Sequence, residues 1–259
     1  MEMALVEAGS LEEALMARGF NGSTDQATGN YWNGAGALAA ASVSFWFYPT
    51  ALVNAYMGLV QGATADFFYL KSSGPLALYT LPGNPSSDPV AGFTASTNTW
   101  YNLVFVSNNG VESILYINGS VVISTMISVG NYLGMTTVNL GFDPNNAGRN
   151  FAGRMADIAF WNVELTALEA TSLARGVRPN RIRPASLKQY LPLFGLASPE
   201  PDLGGGAFNS TMTGTALAFG PPVGLLTPRR PVALGVAAGP SFNPAWAIGK
   251  NVVVEGVAT

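Results

Sequence analysis

The amino-acid sequence predicts an all-β protein: two antiparallel sheets packed as a sandwich, with one short helix and extended termini. Three observations predict it. Short apolar runs recur with turn residues between them, at 100–106, 114–117, 138–142 and 151–161, the spacing of a sandwich rather than of strand–helix–strand units. Asn118-Gly119 separates two of these runs, and both residues tolerate the positive φ of a tight hairpin turn. Only one internal segment, about Thr166 to Arg175, carries a convincing helix pattern.

In chain order, residues 1–19 read as an N-terminal arm. Ser10-Leu-Glu-Glu13 fits a capping box and Gly19 a helix stop, so a helix of about two turns is expected, too short to hold without docking. From Phe20 the signals turn to strand. Ser42 to Tyr48 is an apolar and β-branched run ended by Pro49. Further strands are expected at 55–61, 66–71 and 75–80, between Gly, Pro and Ser clusters. Thr166-Ala-Leu-Glu169 is a second capping box, Gly176 ends that helix, and Leu168 and Leu173 are expected to face the sheet. A basic, Pro-punctuated connector follows from Val177 to Pro184, then a returning strand at 187–194. The sandwich is expected to span residues 20–220.

Beyond it, residues 221–259 form an extended tail. Pro221, Pro222, Pro228, Pro231, Pro240 and Pro244 preclude a regular helix or a central strand. The tail is still too apolar for a disordered linker. Leu225, Leu226, Phe242 and Trp246 are therefore expected as assembly contacts, along the chain's own surface or a neighbour's.

The 259 residues are 48% hydrophobic but only 10% charged, with a net charge of −3. An ordinary globular protein carries about 25% charged residues. No field of either sign would draw in nucleic acid or an anionic membrane. Between Gly19 and Gly148 the only basic residue is Lys71. A surface so poor in charge suits either a secreted or viral β-protein, or one covered by neighbouring subunits. The basic residues between Arg175 and Lys188, interrupted by prolines, read as a solvated or intersubunit connector. No run approaches the roughly 20 apolar residues of a membrane span. Glu2, Glu7, Glu12 and Glu13 interrupt any leader-like segment, so a product made without export is expected.

Histidine and cysteine are both absent. That removes Ser–His–Asp and Cys–His chemistry, disulfides and zinc sites of the usual composition. The Glu-x-Asp-x-x-Glu pattern that would place paired glycosidase carboxylates on one strand does not occur. Asp157 stands alone in its strand and reads as a buried or half-buried structural acid satisfied by backbone amides near a turn. The chain is expected not to be an enzyme.

Taken in order, several segments resemble the laminin-G-like/concanavalin A-like jelly-roll superfamily. They are Phe20-Asn-Gly-Ser-Thr-Asp25, Val43-Ser-Phe-Trp-Phe-Tyr-Pro49, Trp100-Tyr-Asn-Leu103, Leu115-Tyr-Ile-Asn-Gly119, Val138-Asn-Leu-Gly141, Phe151-Ala-Gly-Arg-Met-Ala-Asp157 and Leu165-Thr-Ala-Leu-Glu169. Asn118 stands where that family usually has Asp. The segment from Leu191 to Thr215 resembles the opening of such domains but lies at the end. It is expected to fill the first-strand slot, as in a circular permutation, or to cap the edge of the sandwich.

The resemblance implies a scaffold used for binding and assembly. It raises calcium, for which the loop Asp143, Asn145 and Asn146 offers oxygen ligands, although the same loop suits an Asx-turn with no ion. No cofactor is the default expectation. For glycan, Tyr31 and Trp32 lie in a loop where they could stack on a sugar or dock against the sandwich. Trp46, Trp100 and Trp161 lie in strand patterns and read as core. The chain's ending, with Ser198-Pro-Glu-Pro-Asp202 and Gly220-Pro-Pro-Val223, resembles that of laminin-G-like proteins of bacteriophages and their hosts. The expected role is a non-enzymatic virion structural protein, a capsid decoration or fibre type. It would be homo-oligomeric, attached through its termini to a capsid or other virion protein, and able to meet a host-surface glycan. The alternative is a free carbohydrate-binding module, extracellular or at the cell surface.

Overall fold

The computed structural model describes residues 16–32, 39–53, 56–61, 67–72, 74–79, 89–108, 112–125, 136–195 and 197–222. Leu225, Leu226, Phe242 and Trp246 lie outside the described residues, as does the capping box at Ser10.

Among the described residues the strands are β1 (Met16–Asn21), β2 (Gln26–Asn30), β3 (Ala40–Pro49), β4 (Tyr56–Gln61), β5 (Phe67–Lys71), β6 (Pro75–Tyr79), β7 (Pro89–Thr94) and β8 (Tyr101–Asn108). They continue with β9 (Glu112–Ile117), β10 (Ser120–Thr125), β11 (Thr137–Leu140), β12 (Ala152–Trp161), β13 (Leu187–Leu191), β14 (Ser210–Thr213) and β15 (Ala216–Phe219). One helix, α1 (Ala167–Ala174), follows β12. One sheet runs β10-β9-β8-β3-β12-β1-β15 with β13 also on β12; the other runs β14-β2-β11-β4-β5-β6-β7. All the pairings are antiparallel. The predicted two-sheet sandwich is the architecture found.

The core between the sheets follows from alternation. Ala41, Val43, Phe45 and Phe47 of β3 all point inward, as a period of two requires. Phe68 of β5 meets Phe45 and Phe105 edge-on, at 5.5 and 5.6 Å between ring centroids, a favoured aromatic geometry that ties one sheet to the other.

The intervening residues of β3 are buried as well, because the outer face of the larger sheet is also covered. Ser42 sits there and accepts from the Leu165 amide at 2.9 Å while donating to the Val163 carbonyl at 2.8 Å. Over the same face α1 and the connector lay Leu165, Ala170, Leu173 and Ile182 against Val104, Val106, Tyr116 and Trp161. A strand covered on both faces loses its polar alternation.

Thr166 caps α1 as expected: its hydroxyl accepts from the Glu169 amide and Glu169 reaches back to the Thr166 amide at 2.7 Å. The helix ends at Gly176, with the Val177 amide donating to Ser172 O at 3.0 Å. Glu169 also takes the Arg183 side chain at 2.6 Å. Burial alone would raise the Glu169 carboxyl, but Arg183 and the Thr166 donors outweigh it and lower its pKa.

Three expectations are corrected. Gly19 lies inside β1, paired with Arg154 and Ala216, because Ala17 and Phe20 alternate between the two faces of a sheet. Leu168 is 75% exposed, and Ala170 takes the sheet-facing place beside Leu173. Finally, the returning strand stops at Leu191 rather than running on to residue 194. The late segment resembling a domain opening caps an edge through β14, which pairs with β2; just beyond it β15 pairs with β1 at the edge of the other sheet.

Candidate functional site

The two sheets meet at a rim where β13 of one lies beside β2 and β14 of the other. Gln189 closes this rim. Fully buried, it donates through Nε2 to Asn30 O at 3.1 Å and to Phe208 O at 2.9 Å, bridging the sheets. Asp202 shapes the loop above it. Its Oδ1 accepts the amides of Tyr190 and Gly204, both at 2.7 Å, and its Oδ2 that of Phe208 at 3.1 Å. Gly204 is required by close approach: a Cβ there would meet the Gln189 backbone at 2.7 Å.

The result is an open cleft of about 610 Å³ in which Trp32 and Phe208 supply aromatic surface. Pro184, Ala185 and Leu187 add apolar residues to the lining, Gly204–Gly206 add peptide groups, and Asn162 and Lys188 are its residues with polar side chains. The volume falls within the range of small-molecule sites. No carboxylate lines it; Asp202 is turned into its own loop.

The structure separates the two aromatic candidates. Trp32 is half-buried against the core and lines the cleft. Tyr31 is corrected: only 2% exposed, it packs edge-on to Phe160 at 5.2 Å, so its ring has no free face for a sugar. Just after β2 the two rings lie against each other at 5.5 Å between centroids, with Tyr31 the more deeply buried. Phe208 and Asn162 were not singled out in the sequence, and Lys188 was read there only as the end of a solvated or intersubunit connector. The glycine run 204–206 beside an aromatic residue was the available signal, but nothing in it shows that this loop faces Trp32.

Asp143, Asn145 and Asn146 are gathered, but around hydrogen-bond donors. Asp143 is buried; its Oδ2 accepts from Tyr69 at 2.8 Å, Asn146 Nδ2 at 2.8 Å and Arg149 at 3.1 Å, and its Oδ1 from the Asn145 amide at 2.9 Å. Burial and Asp143 push the Tyr69 hydroxyl pKa up. These residues do not fit calcium, which needs six to eight oxygens. The single carboxylate is committed to a guanidinium, and among the described residues no group of three acidic, His or Cys side chains could hold a metal.

Asp157 has φ +50° and interrupts the register between β12 and β3. There the start of β1 and the end of β13 meet along the same edge of β12. The Tyr190 hydroxyl donates to its Oδ1 at 2.5 Å, so its partner is a side chain rather than backbone amides. Burial raises the Asp157 carboxyl, against the opposing pull of Tyr190 and Arg178. Trp161 is wholly buried and Trp46 8% exposed, as core residues should be; Trp100 is half-buried beside Tyr48. Among the described residues no helix is long and apolar enough to cross a membrane.

Comparison with known proteins places this fold. A candidate carbohydrate-binding protein from Bacteroides ovatus is similar at 14% identity with a TM-score of 0.64, over 80% of this chain and 60% of its own. The present chain thus spans less than two thirds of that neighbour. A heptameric SAP-like pentraxin from Limulus polyphemus is similar at 17% identity with a TM-score of 0.55, over 82% of this chain and 99% of its own. At such identities the likeness is one of fold. A search among curated protein sequences finds no match. A laminin-G-type family model, described as the concanavalin A-like lectin/glucanases superfamily, matches residues 21–171. That match covers more than half of the chain, in the order of strands described above, and the chain belongs to the concanavalin A-like lectin/glucanases superfamily.

Proposed function

We propose that this protein is a non-enzymatic carbohydrate-binding module whose glycan lies in the rim cleft, against Trp32 and Phe208. The observation that carries the reading is the cleft itself: two aromatic side chains, an amide side chain and exposed loop backbone on a rigid sandwich edge. The lectin-type family and the Bacteroides ovatus neighbour support it. A non-enzymatic role is supported by the absence of any carboxylate from the lining, since glycoside hydrolysis ordinarily needs two. The test is a glycan array read with the full chain and with Phe208→Ala. Sugar binding that falls at least about tenfold in the variant supports the reading; an array with no positive glycan sinks it.

A second reading, a virion structural protein held to a capsid through its termini as a homo-oligomer, is favoured by the edge strand β15. There Leu217 is 40% and Phe219 77% exposed on a chain only 10% charged. Deleting residues 221–259 would then leave a folded sandwich that no longer sediments with particles. A full-length chain that stays monomeric and never co-sediments with particles argues against it.

A further inference from the structure

On the reading that the rim cleft takes carbohydrate, we infer that its ligand is an acidic glycan, with a sugar carboxylate held by Lys188 while a ring packs on Trp32 or Phe208. Lys188 is the one charged side chain among the lining residues. Its ammonium makes no hydrogen bond or salt bridge among the described residues. The other cation beside the lining segment, Arg183, is already paired with Glu169 at 2.6 Å. The nearest acid of the loop, Asp202, spends both oxygens on the amides of Tyr190, Gly204 and Phe208. Among the described residues, the cleft therefore presents one positive charge without an acidic partner, beside the Trp32 and Phe208 rings.

Such a charge attracts an oppositely charged group on whatever enters. A neutral sugar would leave the ammonium to water, whereas a carboxylate at ring distance from an aromatic wall would meet it with a charge-assisted hydrogen bond. Asn162 offers amide hydrogen bonds to hydroxyls on the same ligand. Electrostatic complementarity of this kind sets selectivity between related ligands more than overall affinity.

The experiment compares acid and neutral members of two pairs, digalacturonate against digalactose and sialyllactose against lactose. Ligand-observed NMR and calorimetry would be run on the full chain and on Lys188→Gln. The expected result is that the acid of at least one pair binds about 5-fold tighter or more. That margin should disappear in Lys188→Gln and shrink as salt is raised. The pair that responds identifies a uronate or a sialate as the source of the carboxylate. Equal binding of acid and neutral sugars overturns the inference and leaves the carbohydrate reading standing. So does an acid preference that survives Lys188→Gln, which would place the carboxylate elsewhere. Binding of none of the four sugars in a chain that remains folded by circular dichroism overturns the inference, and the array then decides the broader reading.

Discussion

Arg18 and Glu200, 182 positions apart, form an ion pair at 3.0 Å with side chains 2% and 1% exposed. Arg18 comes from β1 and Glu200 from the segment that leads into β14, so the pair fastens the end of the sandwich to its beginning. Arg18 also donates to Ala197 O at 2.6 Å and Thr215 Oγ1 at 3.3 Å. Burial raises the Glu200 carboxyl, and Arg18 opposes it. Removing one partner strands the other charge in a dry site. Glu200→Ala should cost about 3–5 kcal/mol in urea unfolding, whereas an apolar double replacement such as Arg18→Met with Glu200→Leu should cost far less. Equal losses in the single and double variants would refute this account.

Asp157 gives a pH dependence of known sign. Its folded-state pKa is raised from 3.8, mainly by burial. The stability it contributes is therefore full below the unfolded value and lost as pH rises through the folded value. Asp157→Asn keeps an acceptor for Tyr190, tolerates the positive φ and carries no charge. The variant should melt above the wild type at neutral pH, with the gap closing toward pH ~3. A variant less stable at neutral pH would show that the ionised carboxylate is needed.

The hairpin between β9 and β10 is pinned to α1. Asn118 and Gly119 take φ +51° and +78°, and a Cβ on Gly119 would meet Thr171 Cα at 3.0 Å. Gly119→Ala combines strain with crowding and should cost about 2 kcal/mol or more by thermal melting. Asn118→Asp restores the residue usual in the superfamily and keeps the acceptor for the Asn102 amide, which it holds at 2.9 Å. Its cost should stay below about 0.5 kcal/mol. A Gly119→Ala protein as stable as the wild type would mean that the turn relaxes freely.

Asp143 predicts insensitivity to calcium. Its donors are Tyr69, Asn145, Asn146 and Arg149, so calcium and chelator should leave the melting temperature unchanged. Asp143→Ala should destabilise by about 2–3 kcal/mol through the donors it strands. A rise in melting temperature with calcium that disappears in Asp143→Ala would restore the metal site.

Much of the fold was legible because it is written in local patterns. Strand periodicity, the Asn118-Gly119 turn and the Thr166–Glu169 cap depend on neighbours in sequence, so the sequence alone determined most strands between β3 and β13, the helix and the sandwich class, but not β7, β14 or β15. It also determined that no histidine or cysteine chemistry is possible. Where local signals were ambiguous, tertiary contacts decided. Gly19 became strand because Met155 and Leu217 flank the neighbouring Arg18 on either side, and Leu168 turned outward because the sheet accepts Ala170 and Leu173. The cleft could not be read at all. Its aromatic residues, Trp32 and Phe208, lie 176 positions apart, and they converge only when Gln189 and Asp202 tie the β13 edge to the loop above it. That closure depends on long-range hydrogen bonds between two sheets, which no local propensity encodes.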